Sequence, residues 1–339
     1  MLIRSDEEAV VLRDIASAFD GAGRVVLAVS GGLDSMVLLH AAAAIRSKNL
    51  KSLLVATFDH RSGIHSAAAA AFVEQEAHRL GIKCVEGRAT TSLVREHEWR
   101  EARWNFLRSV AARFGGVIAT AHTLDDQIET VFMRILRDAG PRGLAGLYAE
   151  SDVLRPFLGL GRADLEKFAS KHRVRYMDDP SNESRSHLRN RVRHELLPAI
   201  SRARPAFSSD LLSIAQASAE WRNAVARTVE MIGTHHPRGG FRVARADLAG
   251  YDAESLRTLW PAVAAKAGVV MDRRGTHRLA EFTMKGHTGS SIQLSGGIEV
   301  RMFREHLLIQ RWDARRVEMI RKSRLGPVTA RAWARAETA

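Results

Sequence analysis

Residues 25–40 read VVLAVSGGLDSMVLLH, an apolar run that stops at SGGLDS and resumes as a second apolar run. The first run is short and β-branched, as a buried strand is, and the second opens a longer helical pattern. The six residues between them therefore stand at a helix N-terminus, where free backbone N–H groups and the helix dipole favour a phosphate. Gly31 and Gly32 let the main chain approach oxygens closely, Ser30 and Ser35 add hydroxyls, and Asp34 can hold a magnesium ion that bridges phosphates. An ordinary capped turn uses the same residue types, so the rest of the chain must decide.

Working outward, residues 24–122 alternate short β-rich runs with helical patterns. VVLAV leads to SMVLLHAAAAIR, LLVATF to SAAAAAFVEQEAHRL, IKCVEG to REARWNFLRSVAARF, and VIATA to LDDQIETVFMRIL. That rhythm belongs to a parallel α/β sheet. No GxxxxGKS/T and no GxGxxG occurs at the first turn, which argues against a Walker loop and a dinucleotide oxidoreductase.

With 339 residues, 45% of them apolar, the chain can bury a sizeable core in two domains. Lys and Arg total 51 against 38 Asp and Glu, a formal charge of +13, which favours a polyanionic partner, nucleic acid first. A single cysteine, Cys84, excludes an internal disulfide, a zinc site of several thiolates and Cys-pair redox chemistry. The N-terminus turns acidic at once and shows no long apolar stretch, so a soluble cytoplasmic protein with no membrane span is expected.

Beyond the sheet pattern come the helix RADLEKFASKH, the turn signal DDPSN and an arginine-dense amphipathic helix, SHLRNRVRHELLPAI. A long helical pattern follows Pro205, and SSIQLSGGIEVRMFREHLLIQR (290–311) reads as a hairpin around Gly296-Gly297. The expected organisation is a parallel α/β domain over 1–205, a helical and α+β domain over 206–312, and a basic mobile tail over 313–339.

Four further stretches join SGGLDS: FDHRSG (58–63), EARWNFL (101–107), IATAHTLDDQIETVFMRILRDAGPRGLAGL (118–147) and DDPSNESRSHLRNRVRHELLP (178–198). Together they resemble the tRNA(Ile)-lysidine synthases, within the PP-loop superfamily of ATP pyrophosphatases. The resemblance covers residues 24–200 well and the 290–311 hairpin more weakly, and Thr123 stands where many members have a second histidine.

The resemblance implies a Rossmann-like PP-loop domain and ligation of free L-lysine to C2 of the wobble cytidine in the CAU anticodon of tRNA(Ile). ATP adenylates the cytidine first. It implies ATP contacts from Ser30, Gly31, Gly32, Leu33, Asp34 and Ser35, with Asp59 and His60 positioning the nucleotide and Asp34 holding Mg2+. Arg103 and His122 would stabilise charge on the α-phosphate and leaving pyrophosphate. Outside their motifs these would read as an exposed helix arginine and a strand-end histidine. Asp126 and Glu129, three apart on one helix face with Asp125 nearby, would receive the lysine ammonium groups, and Arg185, Arg189 and Arg193 the tRNA phosphates. A homodimer is left open.

Three other readings compete. A tRNA thiolase shares the loop but depends on paired cysteines or a cluster, and a small-molecule amidating ligase needs no +13 surface. The third is an RNA-binding relative without turnover, which RNA- and lysine-dependent pyrophosphate release would separate from an enzyme.

Overall fold

The computed structural model describes residues 6–45, 52–61, 63–89, 96–178, 188–237 and 239–312. Arg185, most of the DDPSN turn and the expected tail at 313–339 lie outside them. The chain divides into two compact units, Met1–Glu220 and Trp221–Ala339. The expected limit at 205 precedes the helix Phe207–Ile232, whereas the units part inside it. The cause is packing: Phe207, Leu211 and Ala215 of that helix join Val131, Phe132 and Val192 in one apolar cluster.

The first unit runs α1 (Asp6–Ala18), β1 (Arg24–Ala28), α2 (Leu33–Ala44), β2 (Ser52–Asp59), α3 (Ile64–Arg79), β3 (Lys83–Arg88), α4 (Glu96–Phe114), β4 (Val117–Ala119), α5 (Leu124–Ile135), α6 (Pro141–Leu144), β5 (Val153–Leu154) and α7 (Arg162–His172). The five strands are parallel in the order β3-β2-β1-β4-β5. Alternation along the strands assigns the two faces. Val25, Leu27 and Val55 face a core built with α1, α2, α3 and α7, while Val26, Leu54 and Ile118 face Leu107, Val110 and Ala111 of α4. Both faces are covered, which is why these strands read as continuous apolar runs.

Because the chain leaves β1 toward β2 on one side and β4 toward β5 on the other, the connections from their carboxyl ends run in opposite directions and open a crevice there, at the topological switch point. Cys84 sits half-buried on the edge strand β3, where burial, with Glu74 and Glu86 nearby, pushes its thiol up to about 11.

The expected arginine-rich helix is present and runs without a gap over residues 188–203, with one π-helical turn inside it. It forms α8 (Leu188–Arg191), a π-helical turn (Val192–Leu196) and α9 (Leu197–Ala203). Pro198 in the first turn of α9 has no N–H for the preceding turn, and the ladder widens there. The helix noted above follows as α10 (Phe207–Ile232).

The second unit is α+β, as expected. Strands β6 (Gly233–His235) and β7 (Phe241–Ala244) precede helices α11 (Ala253–Lys266) and α12 (Arg273–Lys285), then β8 (Ser291–Leu294), β9 (Ile298–Met302) and β10 (His306–Arg311). The sheet is antiparallel in the order β6-β7-β10-β9-β8, and it packs around buried Trp260 and Leu279. Gly296 and Gly297 turn β8 into β9 with φ of 78° and 71°, a left-handed conformation that glycine adopts freely.

Candidate active site

The SGGLDS loop joins β1 to α2. Gly31 has φ of 93°, a left-handed backbone conformation that favours glycine. The Ser30 amide donates to Ser35 Oγ at 3.1 Å, and that hydroxyl donates to the Gly32 carbonyl at 2.9 Å. Ser35 thereby closes the loop on itself. The N-cap residue Gly32 offers no side chain to the first amides of α2, which leaves them for an anion. Asp34, on the first turn, has Oδ1 buried without a hydrogen-bond partner and Oδ2 3.8 Å from Arg162 Nη1. Burial pushes its carboxyl up to about 6.

A cleft of about 860 Å³ opens over the loop at the carboxyl end of the sheet, lined also by His60, Arg103, His122 and Asp126. The Arg103 Nε is buried with no partner. Burial, with Arg100 and Arg189 close by, lowers the proton affinity of its guanidinium. His122 Nδ1 lies 2.8 Å from Thr120 Oγ1, and burial pushes its pKa down to about 4. At neutral pH His122 therefore offers a hydrogen bond and not a charge.

Asp59 is turned to other partners. It accepts from Ser66 Oγ at 2.5 Å, the Arg61 amide at 2.8 Å and Arg88 Nε at 3.1 Å. Burial alone would raise its carboxyl, but these partners hold it below the usual range. It fixes the turn that presents His60 to the cleft.

Helix α5 begins with a reciprocal cap. Thr123 Oγ1 accepts the Asp126 amide at 3.3 Å and Asp126 Oδ2 accepts the Thr123 amide at 3.0 Å, so the departure at position 123 is a helix start. Asp126 Oδ1 accepts from Arg189 Nη2 at 2.6 Å. Glu129, 2% exposed, accepts from Arg189 Nε at 2.8 Å and Arg193 Nε at 2.5 Å. Four expected site residues are thus brought together, the acids paired with the arginines.

Beside them lies a smaller pocket of about 260 Å³, in which Asp34, Asp125, Glu129, Arg162 and Arg193 face the apolar Ile128 and Leu197. Asp125 Oδ2 accepts the Arg162 amide at 2.7 Å and so ties α5 to the start of α7.

Sequence reasoning missed Arg162, Met177 and the buried Glu76. The Met177 amide donates to the Gly31 carbonyl at 2.9 Å, bracing the loop from behind. Two residues earlier, Arg175 Nη2 lies 2.9 Å from Glu76, which also holds Arg79 and has His40 Nε2 at 3.5 Å. No local signal marked this pairing, because the partner of Arg175 sits far upstream on α3.

A family model described as a PP-loop domain matches residues 7–200. A tRNA(Ile)-lysidine synthase of Salinispora arenicola is 35% identical over 245 residues, covering 68% of this chain and 74% of that protein. The chain belongs to the tRNA(Ile)-lysidine synthase family of PP-loop proteins. A family member from Geobacter sulfurreducens is 36% identical over 219 residues, 61% of this chain and 46% of that protein. This chain therefore spans about half the length of that relative. Among solved structures, the U34-tRNA thiolase NcsA from Methanococcus maripaludis superposes with a TM-score of 0.50 at 16% identity, over 63% of this chain and 79% of the other. That likeness establishes the α/β fold. No helix among the described residues is long and apolar enough to cross a membrane.

Proposed function

We propose that the protein ligates free L-lysine to C2 of the wobble cytidine in the CAU anticodon of tRNA(Ile), with ATP yielding AMP and pyrophosphate, in the cytoplasm. The observation that carries this is that Asp34, Arg162 and Arg193 line two adjoining spaces. The larger holds the phosphate loop and suits ATP with an extruded base. The smaller, with carboxylates, an arginine and apolar walls, suits an amino acid with a long aliphatic stem and charged ends.

In the first step the cytidine O2 bonds to the α-phosphorus as the bond to the leaving pyrophosphate breaks. Leu33 and its neighbours in SGGLDS cradle the phosphates through backbone N–H groups. Arg103, whose Nε has no protein partner, meets the charge that develops on the transferring group. His122 donates a hydrogen bond from the same rim, and His60 positions the nucleoside. In the second step the lysine ε-nitrogen bonds to C2 and AMP departs with the oxygen, the amine proton passing to the carboxylate side of the smaller pocket.

Asp125 and Glu129 receive the ammonium groups there, and Arg162 the α-carboxylate. Arg189 and Arg193, held at the cleft by Asp126 and Glu129, direct the remaining guanidinium donors to RNA phosphate.

The unpartnered, buried Oδ1 of Asp34 fits a divalent cation. No cluster of three or more His, Cys, Asp or Glu among the described residues holds a metal unaided, so Mg2+ would bind with the nucleotide phosphates. It would neutralise charge on the leaving pyrophosphate.

The test is incubation with ATP, labelled lysine and bacterial tRNA, followed by nucleoside analysis. A lysine-bearing cytidine is expected from the isoleucine tRNA with the CAU anticodon. ATP turnover with no labelled nucleoside would overturn the reading.

A further inference from the structure

Helix α4 carries Trp99 in its first turn, half-buried on the wall of the larger cleft. Its ring centroid lies 6.2 Å from that of His60, which stands 5.0 Å from Phe58, itself 5.5 Å from Phe106. An aromatic row thus runs from the sheet core to the cleft rim and ends at Trp99. Beside it the exposed Arg100 lines the same cleft. Within the row, His60 Nδ1 is buried with no hydrogen-bond partner, and burial, with Arg103 nearby, lowers its pKa, so the ring is neutral at pH 7 and apt to stack.

The adenylation chemistry described above uses neither Trp99 nor Arg100. We infer that Trp99 is a stacking platform for a base of the RNA anticodon loop, with Arg100 beside it for the adjoining phosphate. This rests on the proposed activity. Proteins that hold single-stranded nucleic acid pair aromatic faces with neighbouring cations, because every base has a π-face and every nucleotide a phosphate. Loop nucleotides are the ones whose bases can be splayed out in this way.

The geometry favours an RNA base over the adenine of ATP. The contiguous phosphates of ATP would be served by the SGGLDS loop at the end of β1, and ATP, unlike a nucleotide within a chain, carries no phosphodiester on its 3′ side for Arg100. A polynucleotide entering from solvent meets the rim first, and there Trp99 and Arg100 stand together.

The test uses the full-length protein. A labelled CAU anticodon stem-loop RNA is titrated against wild type, Trp99→Ala and Trp99→Phe, and ATP binding without RNA is measured by calorimetry. Trp99→Ala should weaken RNA binding about five- to hundredfold, Trp99→Phe should recover most of the loss, and ATP affinity should stay within about twofold. If Trp99→Ala melts well below wild type, Trp99→Leu, which is apolar but has no π-face, takes its place and should show the same loss.

Unchanged RNA affinity in the Ala or Leu variant overturns the platform, as does a wild type that binds no stem-loop. A loss of ATP affinity equal to or larger than that of RNA also overturns it and gives Trp99 to adenine. If the variants lose RNA affinity while the wild type makes no modified cytidine, the activity reading fails and the platform stands.

Discussion

Arg193 is held by both oxygens of Glu129, with Nε 2.5 Å from Oε1 and Nη2 3.1 Å from Oε2. Arg189 Nε shares the second oxygen at 2.8 Å. One buried carboxylate therefore fixes two guanidinium groups from α8 and the π turn against α5.

Glu129→Gln keeps the shape and removes the charge that both arginines face. Stability should fall by about 3 kcal/mol, the usual scale for breaking a buried ion pair, read as a lower denaturation midpoint. Below that midpoint, lysine incorporation should fall about tenfold or more while lysine-free pyrophosphate release stays nearer wild type. If both half-reactions dropped by one factor, Glu129 would belong to the ATP site.

Asp34→Asn should lose ATP-dependent pyrophosphate release with no loss of fold. Its Oδ1 lies buried without a partner, and its Oδ2 meets Arg162 only at 3.8 Å, so the substitution removes one long ion pair. Release at the normal rate by a well-folded variant would remove Asp34 from the adenylation step.

Arg175→Ala should act at a distance on the phosphate loop. Arg175 is anchored to Glu76, and Met177 just beyond it braces the Gly31 carbonyl. ATP affinity should fall about three- to tenfold, with Arg175→Lys intermediate because lysine keeps the charge but lacks the fork. Calorimetric titration of ATP reads this directly, and an affinity equal to wild type would disconnect the brace from the loop.

His122 makes stability depend on pH in a defined window. Folded, it binds its proton near pH 4, against 6.5 ordinarily, so the unfolded chain takes up more protons between those values. Its contribution is complete above 6.5 and is lost as pH falls toward 4. Asp126 opposes the depression, while Arg155, Arg189 and Arg103 add to it. Urea midpoints measured across that window should decline less in His122→Gln than in wild type. Parallel declines would mean that the ring ionises as it does in water.

The fold was legible because both sheet faces are covered: runs such as VVLAV and LLVATF can be little else than buried parallel strands. The phosphate loop was legible because glycine at Gly31 answers a local backbone demand, written in adjacent residues. The smaller pocket was not. Arg162 reads as an ordinary helix-start residue, and only the fold carries it to Asp34. The pairing of Arg189 and Arg193 with the acids of α5 was hidden for the same reason, since each charge had a ready explanation as a solvent or RNA contact. The helix over 188–203 was legible, and its π turn at Val192 follows from Pro198, whose effect the arginine spacing masked.

Cys84 has a practical consequence. With its thiol pushed up to about 11, about one part in ten thousand is thiolate at pH 7, and the chain has no second cysteine. Maleimide reagents should therefore leave the natural protein almost unmarked. A cysteine placed on the outer face of α12, at exposed Arg274 or Arg278, would take a dye or a spin label at that position alone. With two such cysteines, changes in spacing during a catalytic cycle become measurable by energy transfer or dipolar spectroscopy, without first building a cysteine-free background.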